Sequence, residues 1–450
     1  CQRMDATQYR ALNQLIHFFD LAQVKVNSAI GLYPVLLVNF IGTLGYSLII
    51  PLLVFLVEGF GGNAFIYGLL GATYPAFQLI GAPLLGNWSD RIGRRLVLII
   101  SQAGTFCAWI LFITSLLLPD WKVAEVDSTT LGQFTLSIPL LLLFLARALD
   151  GLTGGNVSVA NAYLADISDD SNRKANFGKL GASTSLGFVI GPVLAGLLGA
   201  TSLGNLLPVG IAALISLVAI AVIYFYLPES RPELVNQEEI AKENWLHKLF
   251  AHEHKECFEM EDCPEGFTLQ QAWHIDKLPT LFFIYFMTFF GFSFFYSGFP
   301  VFASSSLNWD SFQLGIFLAI SSGIMILAQG PVLTWLGHKV SDSVVVRIGA
   351  CTLALSFAIL PIGTLTSTWI ANVLLSLGNG IMWPSFLSIL GQTGPKEKQG
   401  SIQGYANSMG SLASIFGLVT GGTLYAFLGP SIFLLGSGLI AVVFLLSYRI

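Results

Sequence analysis

Charge is what this chain lacks. Only 10% of its 450 residues are Asp, Glu, Lys or Arg, against about 25% in soluble globular domains. That shortage excludes a string of ordinary soluble domains and any broad basic surface for nucleic acid. Cysteine is scarce too: Cys1, Cys107, Cys257, Cys263 and Cys351 are scattered along the chain and imply no disulfide framework. Cys107 and Cys351 fall within apolar runs, where a thiol acts as a small hydrophobe. No phosphate-cradling glycine loop, catalytic triad or haem motif occurs, so an enzyme is not expected and no cofactor is implied. Three of the six histidines lie in the run His247…His252-x-His254-x2-Cys257-x5-Cys263. Its spacing fits no zinc ribbon or finger, so it reads as a solvated loop and no metal is expected.

What the chain has instead is apolar length. Runs of about 20 hydrophobic residues, enough to cross a bilayer as helices, recur twelve times. Their approximate limits are 32–57, 65–86, 95–118, 138–164, 176–199, 205–227, 279–303, 312–336, 344–366, 368–391, 401–427 and 430–449. The expected fold is an all-α membrane protein of twelve transmembrane helices in two pseudo-symmetric six-helix halves. The domain boundaries follow: an N-terminal segment 1–31, a first half 32–227, a linker 228–278 and a second half 279–450. The first segment places Tyr9, Leu12, Leu15, Ile16 and Phe19 at helical spacing among polar residues, an amphipathic helix for the membrane surface and not a signal peptide.

An even number of spans puts both ends on one side. Lys25, Arg91, Arg94, Arg95, Arg173, Lys174, Lys179, Lys339, Lys396 and Lys398 fall on that side, whereas Lys122 is the one basic residue of the opposite loops. The positive-inside bias then makes both termini cytoplasmic. The halves also repeat. Gly178-x8-Gly187-x3-Gly191-Pro192-x2-Ala195-Gly196 in span 5 is answered 226 residues later by Gly404, Gly417, Gly421 and Gly422, and Pro83 is answered by Pro331. Duplicated halves are the trace of a transporter that rocks about a midplane site.

Between spans 2 and 3 lies Gly86-Asn-Trp-Ser-Asp90-Arg91-Ile-Gly93-Arg94-Arg95, read as a very short polar loop. It resembles the helix 2–3 loop of the major facilitator superfamily, Gly-x-x-x-Asp-Arg-x-Gly-Arg-Arg, at Gly86, Asp90, Arg91, Gly93, Arg94 and Arg95. The counterpart after span 8 carries His338, Lys339 and Ser341 in place of Asp90, Arg91 and Gly93. The resemblance implies a gate: Asp90 would face the start of span 11, where a helix dipole favours a carboxylate, and Asp166 is a partner for Arg91 or Arg94. Span 4 matches the family's Arg-x-x-x-Gly pattern at Arg147 and Gly151. Arg147 is costly inside a membrane, and Asp150, one turn away, can pair with it. The pair is a candidate for proton coupling or, alternatively, a static ion pair.

Span 5 resembles the antiporter motif of the drug:proton exporters, the tetracycline-exporter-like branch, at Gly178, Gly187, Gly191, Pro192 and Gly196; close helix packing alone is the other reading of such glycines. One departure stands out: Gly42 occupies the place of that branch's helix-1 aspartate, so tetracycline itself is not implied. Candidate cavity residues are Asn39, Thr43 and Tyr46 in span 1, Ser158 and Asn161 in span 4, Tyr285, Phe292 and Tyr296 in span 7, and Asn379 and Trp383 in span 10. Aromatic pockets with few polar groups suit amphipathic molecules. The resemblance therefore implies proton-coupled export of a small amphipathic molecule by a monomer in the bilayer of a plasma or inner membrane. Its partners are a small-molecule substrate, protons and lipid. An uptake symporter, a facilitator and a transporter-fold receptor are the alternatives.

Overall fold

The computed structural model describes residues 28–128, 131–154, 156–168, 173–230, 269–337, 339–395 and 399–450. Most of the N-terminal amphipathic segment, and most of the linker with all of its His/Cys run, lie outside them. The twelve spans are helices α1 Ser28–Gly59, α2 Ala64–Ile92, α3 Arg94–Leu117, α4 in two pieces Ile138–Thr153 and Asn156–Asp166, α5 Arg173–Gly199, α6 Leu206–Tyr226, α7 Leu278–Ser305, α8 Ser311–Leu327, α9 Asp342–Ile359, α10 Leu365–Gln392, α11 Gln399–Leu428 and α12 Ile432–Leu446. Helix α8 continues through a π-helical turn, Ala328–Val332, to Leu333–Gly337. Ten stretches among the described residues are each long and apolar enough to cross a bilayer. The count falls below twelve because α4 is interrupted near Gly154, and α11 runs into α12 through the turn Gly429–Ser431.

Local chemistry sets several helix starts. Asn63 caps α2 by accepting from the Ile66 N–H. Asp310 with Gln313, and Thr364 with Ser367, form reciprocal capping boxes on α8 and α10, each satisfying orphan N–H groups. Leu117, Phe225, Leu327 and Leu445 are all more than half exposed, as expected where the solvent is lipid rather than water.

Two expectations are revised. The polar stretch from Gly86 to Arg95 is not a loop: α2 runs to Ile92, α3 starts at Arg94, and Gly93 alone makes the turn with φ 96°. A single glycine suffices because only it takes that backbone conformation without strain. The stretch between α3 and α4 departs from the expected all-α fold. Strands β1 Lys122–Ser128 and β2 Gly132–Ser137 pair antiparallel, with a register shift between Lys122 and Ala124. This hairpin docks on the α1–α2 turn: the Thr135 N–H donates to the Gly61 carbonyl at 2.8 Å, and Asn63 Nδ2 to the Leu131 carbonyl at 2.8 Å. We call this side the hairpin face and the side of Arg94, Arg95 and Lys339 the basic face.

The halves meet through two matching crossings. A Cβ on Gly315 of α8 would lie 3.1 Å from the Gly196 Cα of α5, and one on Gly68 of α2 would lie 2.9 Å from the Gly422 Cα of α11. Ser304 Oγ donates to Glu58 Oε2 at 2.7 Å, Tyr67 Oη to the Tyr296 carbonyl at 3.1 Å and Ser322 Oγ to the Phe188 carbonyl at 3.3 Å. Among the described residues these contacts between the halves lie from the hairpin side to mid-depth. Toward the basic face, Gly181 of α5 and Gly404 of α11 look onto open space. The region between the halves toward that face is termed the cleft.

Candidate functional site

Arg147 is the centre of the first half. It is 4% exposed, and its Nη1 lies 3.5 Å from Asp150 Oδ2. Thr105 Oγ1 of α3 donates to the other carboxylate oxygen, Asp150 Oδ1, at 3.1 Å. Two rings flank the guanidinium, with centroids 4.7 Å (Tyr74) and 5.7 Å (Tyr46) from its carbon. Tyr46 in turn meets Phe188 of α5 edge-on at 6.2 Å. A cation held by a carboxylate and two aromatic faces is less costly in low dielectric than a bare one. Arg147 Nε is nevertheless buried with no hydrogen-bond partner.

The interruption of α4 builds this site. Ser101 Oγ donates to the Thr153 carbonyl at 2.5 Å and Gln78 Nε2 to the Gly154 carbonyl at 3.1 Å, so carbonyls near the break keep partners, as a membrane interior demands. Gly151 and Gly154 press against Tyr74: a Cβ on Gly151 would lie 2.5 Å from the Tyr74 carbonyl, and one on Gly154 2.7 Å from its hydroxyl. Gly151 and Gly154 are therefore spent on contact with α2. Asn161 is half-buried on the second piece. Tyr74, Gln78 and Thr105 were not read from sequence, although Tyr74-x3-Gln78 is a polar i, i+4 pair in an apolar run.

At the basic face a polar cluster knits the first half. Arg94, 4% exposed, places Nε 3.1 Å from Asp166 Oδ2 and Nη1 2.5 Å from Ser89 Oγ. Ser230 Oγ donates to the same Asp166 oxygen at 3.1 Å, and Tyr163 Oη to the Pro228 carbonyl at 2.9 Å. Glu229 lies just beyond the end of α6. Its carboxylate accepts the Arg94 N–H at 2.8 Å and the Arg95 N–H at 3.0 Å, capping α3 from the end of α6. The side chains of Asp90, Arg91 and Ser158, and the surroundings of Gly178, lie outside the described part of the structure. Gly86 faces open space.

Span 5 divides its glycines between two neighbours. A Cβ on Gly187 would lie 2.9 Å from the Leu44 N, and one on Gly191 2.9 Å from the Leu48 N and against Ser47. Both face α1, and Ser47 Oγ adds a 2.8 Å bond to the Gly187 carbonyl. Pro192 and Gly196 face α8. Asn39 and Thr43 belong to this seam and not to the cleft: Asn39 Nδ2 donates to Ser183 Oγ and Thr184 Oγ1, both at 2.8 Å, and Thr43 Oγ1 to the Asn39 carbonyl. Thr43 and Asn39 are thereby committed to packing.

In the second half, Tyr285 and Phe289 of α7 stack at 5.0 Å, Trp383 of α10 meets both edge-on, and Tyr285 Oη donates to Asn407 Oδ1 at 2.7 Å. Asn379 Nδ2 reaches Met325 Sδ at 3.3 Å. Phe292 packs between Tyr296 and Phe357. Tyr296 is 45% exposed, while its carbonyl anchors Tyr67 across the halves. Among the described residues no cluster of His, Cys, Asp and Glu could hold a metal ion.

Comparison with known proteins extends these observations. The family model of the Major Facilitator Superfamily matches residues 35–418. The tetracycline resistance protein, class D, of Salmonella ordonez is 28% identical over 398 residues, covering 87% of this chain and 88% of that protein. The class B protein of Escherichia coli is 27% identical over 422 residues, covering 92% and 94%. Multidrug resistance protein 2 of Bacillus subtilis is 25% identical over 407 residues, covering 89% and 90%. Among solved structures, the human organic anion transporter MFSD10 superposes with a TM-score of 0.63 at 22% identity, covering 94% of this chain and all of that one.

Proposed function

This chain belongs to the Major Facilitator Superfamily, and from that premise we propose that it exports a small amphipathic molecule in exchange for protons. It is a multi-pass membrane transporter, not an enzyme, and its substrate is a small molecule. In the proposed reading it works as a monomer in a plasma or inner membrane, with the basic face toward the cytoplasm. The observation that carries the proposal is the buried Arg147–Asp150 pair, with the Arg147 guanidinium flanked by the rings of Tyr46 and Tyr74. Protonation of Asp150 cancels the carboxylate's charge and frees the guanidinium edge; release of the proton restores the pair. A switch of that kind couples a proton to whatever else competes for Arg147. The names of the tetracycline and multidrug relatives support a drug-like cargo. The rings of Tyr285, Phe289 and Trp383 support an amphipathic one.

In the gating cycle, Arg94, Asp166 and Glu229 keep the basic end of the first half rigid. Asp90 meets the start of α11 when that end closes, and the seam of Gly187 and Gly191 lets α1 and α5 move as one body. Purified protein in liposomes should move a fluorescent amphiphile against an imposed proton gradient, and Asp150→Asn should abolish that coupling while keeping substrate binding. Movement of cargo and protons in the same direction would identify an uptake symporter, and gradient-independent equilibration a facilitator. Undiminished coupling in Asp150→Asn would leave the pair a static ion pair.

A further inference from the structure

A second arginine faces the bilayer itself. Arg347 lies five residues into α9 from Asp342, about 7–8 Å along the helix from its basic-face end. Helix α9 packs on α10 and α12 and stands away from the other half. Its outer surface, with that of α12, is apolar and open: Ile348 is 42% and Leu445 64% exposed. The Arg347 guanidinium carbon sits 4.6 Å over the ring of Tyr448. Its Nε is buried without a hydrogen-bond partner, and the ion pairs among the described residues do not include it. Beside it runs a groove of about 430 Å³, walled by Ile348, Cys351, Thr352, Phe444 and Tyr448.

An arginine at this depth costs free energy unless it reaches water or meets an anion. Stacking on Tyr448 covers a face of the guanidinium and Nε is buried, which leaves the terminal edge of Nη1 and Nη2. That edge carries the N–H groups that grip a phosphate in two-pronged fashion. The apolar groove beside it has the width and lining for an acyl chain. A charged head above an apolar trough, open to lipid and near the membrane surface, matches one class of ligand. We propose that this groove binds an anionic phospholipid from the leaflet on the basic face, with its phosphate on Arg347 and one chain along Ile348, Cys351 and Phe444. The assignment rests on the membrane setting and is independent of the direction of transport.

The test is native mass spectrometry of the full-length protein in detergent, titrated with phosphatidylglycerol and, separately, with phosphatidylcholine of the same chains. Wild type should retain one phosphatidylglycerol in preference to phosphatidylcholine, and Arg347→Gln should weaken that site about tenfold, the scale of a lost charge-assisted contact. Arg347→Lys should fall between them, because the charge stays and the fork goes. Removing Arg347 leaves no protein group without its partner, so the variant should elute as wild type does. Tyr448→Leu gives an independent reading, since loss of the ring should also weaken the site. Equal phosphatidylglycerol affinity in wild type and variants would mean that Arg347 merely reaches water, and would overturn the proposal. So would equal retention of phosphatidylcholine, or displacement by free glycerol 3-phosphate, which would indicate a soluble phosphate instead.

Discussion

Glu229 shows how one side chain can hold two elements. It sits at the end of α6, yet its two oxygens take the first two N–H groups of α3. A carboxylate there benefits from both the hydrogen bonds and the helix dipole. Gly93 makes room for it, since a Cβ at that position would lie 2.6 Å from Glu229 Oε2. Glu229→Ala should lower stability by about 2 kcal/mol, read as a drop in the melting temperature of the detergent-solubilised protein. Glu229→Gln, with one acceptor left, should lose about half of that. A melting temperature unchanged in both would show that water replaces the cap at no cost. Sequence offered Asp166 as a partner for Arg91 or Arg94, because opposite charges at helix ends attract, and the structure sets Arg94 Nε 3.1 Å from it. Sequence could not place Glu229, because a cap supplied from a helix more than a hundred residues away leaves no local pattern. Asn39 and Thr43 taught the converse: a polar stripe in an apolar span marks a helix seam as readily as a cavity.

Among the elements, α5 is the one whose two ends do different things. Its middle, at Gly187 and Gly191, lies on the α1 backbone, and its hairpin-side end, at Gly196, lies on α8 of the other half. Gly191→Leu should insert but fail to transport, because a branched side chain would force α1 and α5 apart where the Leu48 N stands 2.9 Å from the added carbon. Gly210→Leu in α6 looks onto open space and should transport as wild type does. Equal rates in the two variants, measured in the same liposomes, would reduce the seam to ordinary packing. The glycine pattern was legible in sequence. Which neighbour each glycine faces was not, since a helix's azimuth is set by tertiary packing and not by its own repeat. The outer hairpin was missed for a related reason: β1 and β2 draw much of their order from the α1–α2 turn they rest on.

On the scale of the whole molecule, the halves meet on the hairpin side at the Gly68–Gly422 and Gly196–Gly315 crossings and through the Ser304–Glu58 bond. Opening that side requires all three to part together, since the halves pack as stiff bodies that switch rather than bend. Cysteines at Glu58 and Ser304, joined by a short bifunctional thiol reagent, should arrest transport, and cleavage of the reagent should restore it. Continued turnover in the joined protein would show that the hairpin side need not open. The twelve spans and the duplication were legible because hydrophobic length and glycine spacing survive in the chain. On which side the halves meet was not, for alternative states would use the same helices and differ only in how two halves lean.

The π-helical turn in α8 also sets the bearing of the helix beyond it. Gly68 and Gly315 play matching parts at the hairpin side and are 247 residues apart, whereas Pro83 and Pro331, farther along the same two helices, are 248 apart. One half has gained a residue between these landmarks, or the other has lost one. In an unbroken α-helix a single added residue would swing everything beyond it by about 100° around the axis. A π-helical turn such as Ala328–Val332 accommodates a one-residue difference of that kind within one coil. Without that widened coil, Leu333–Gly337 would turn a different face toward its neighbours.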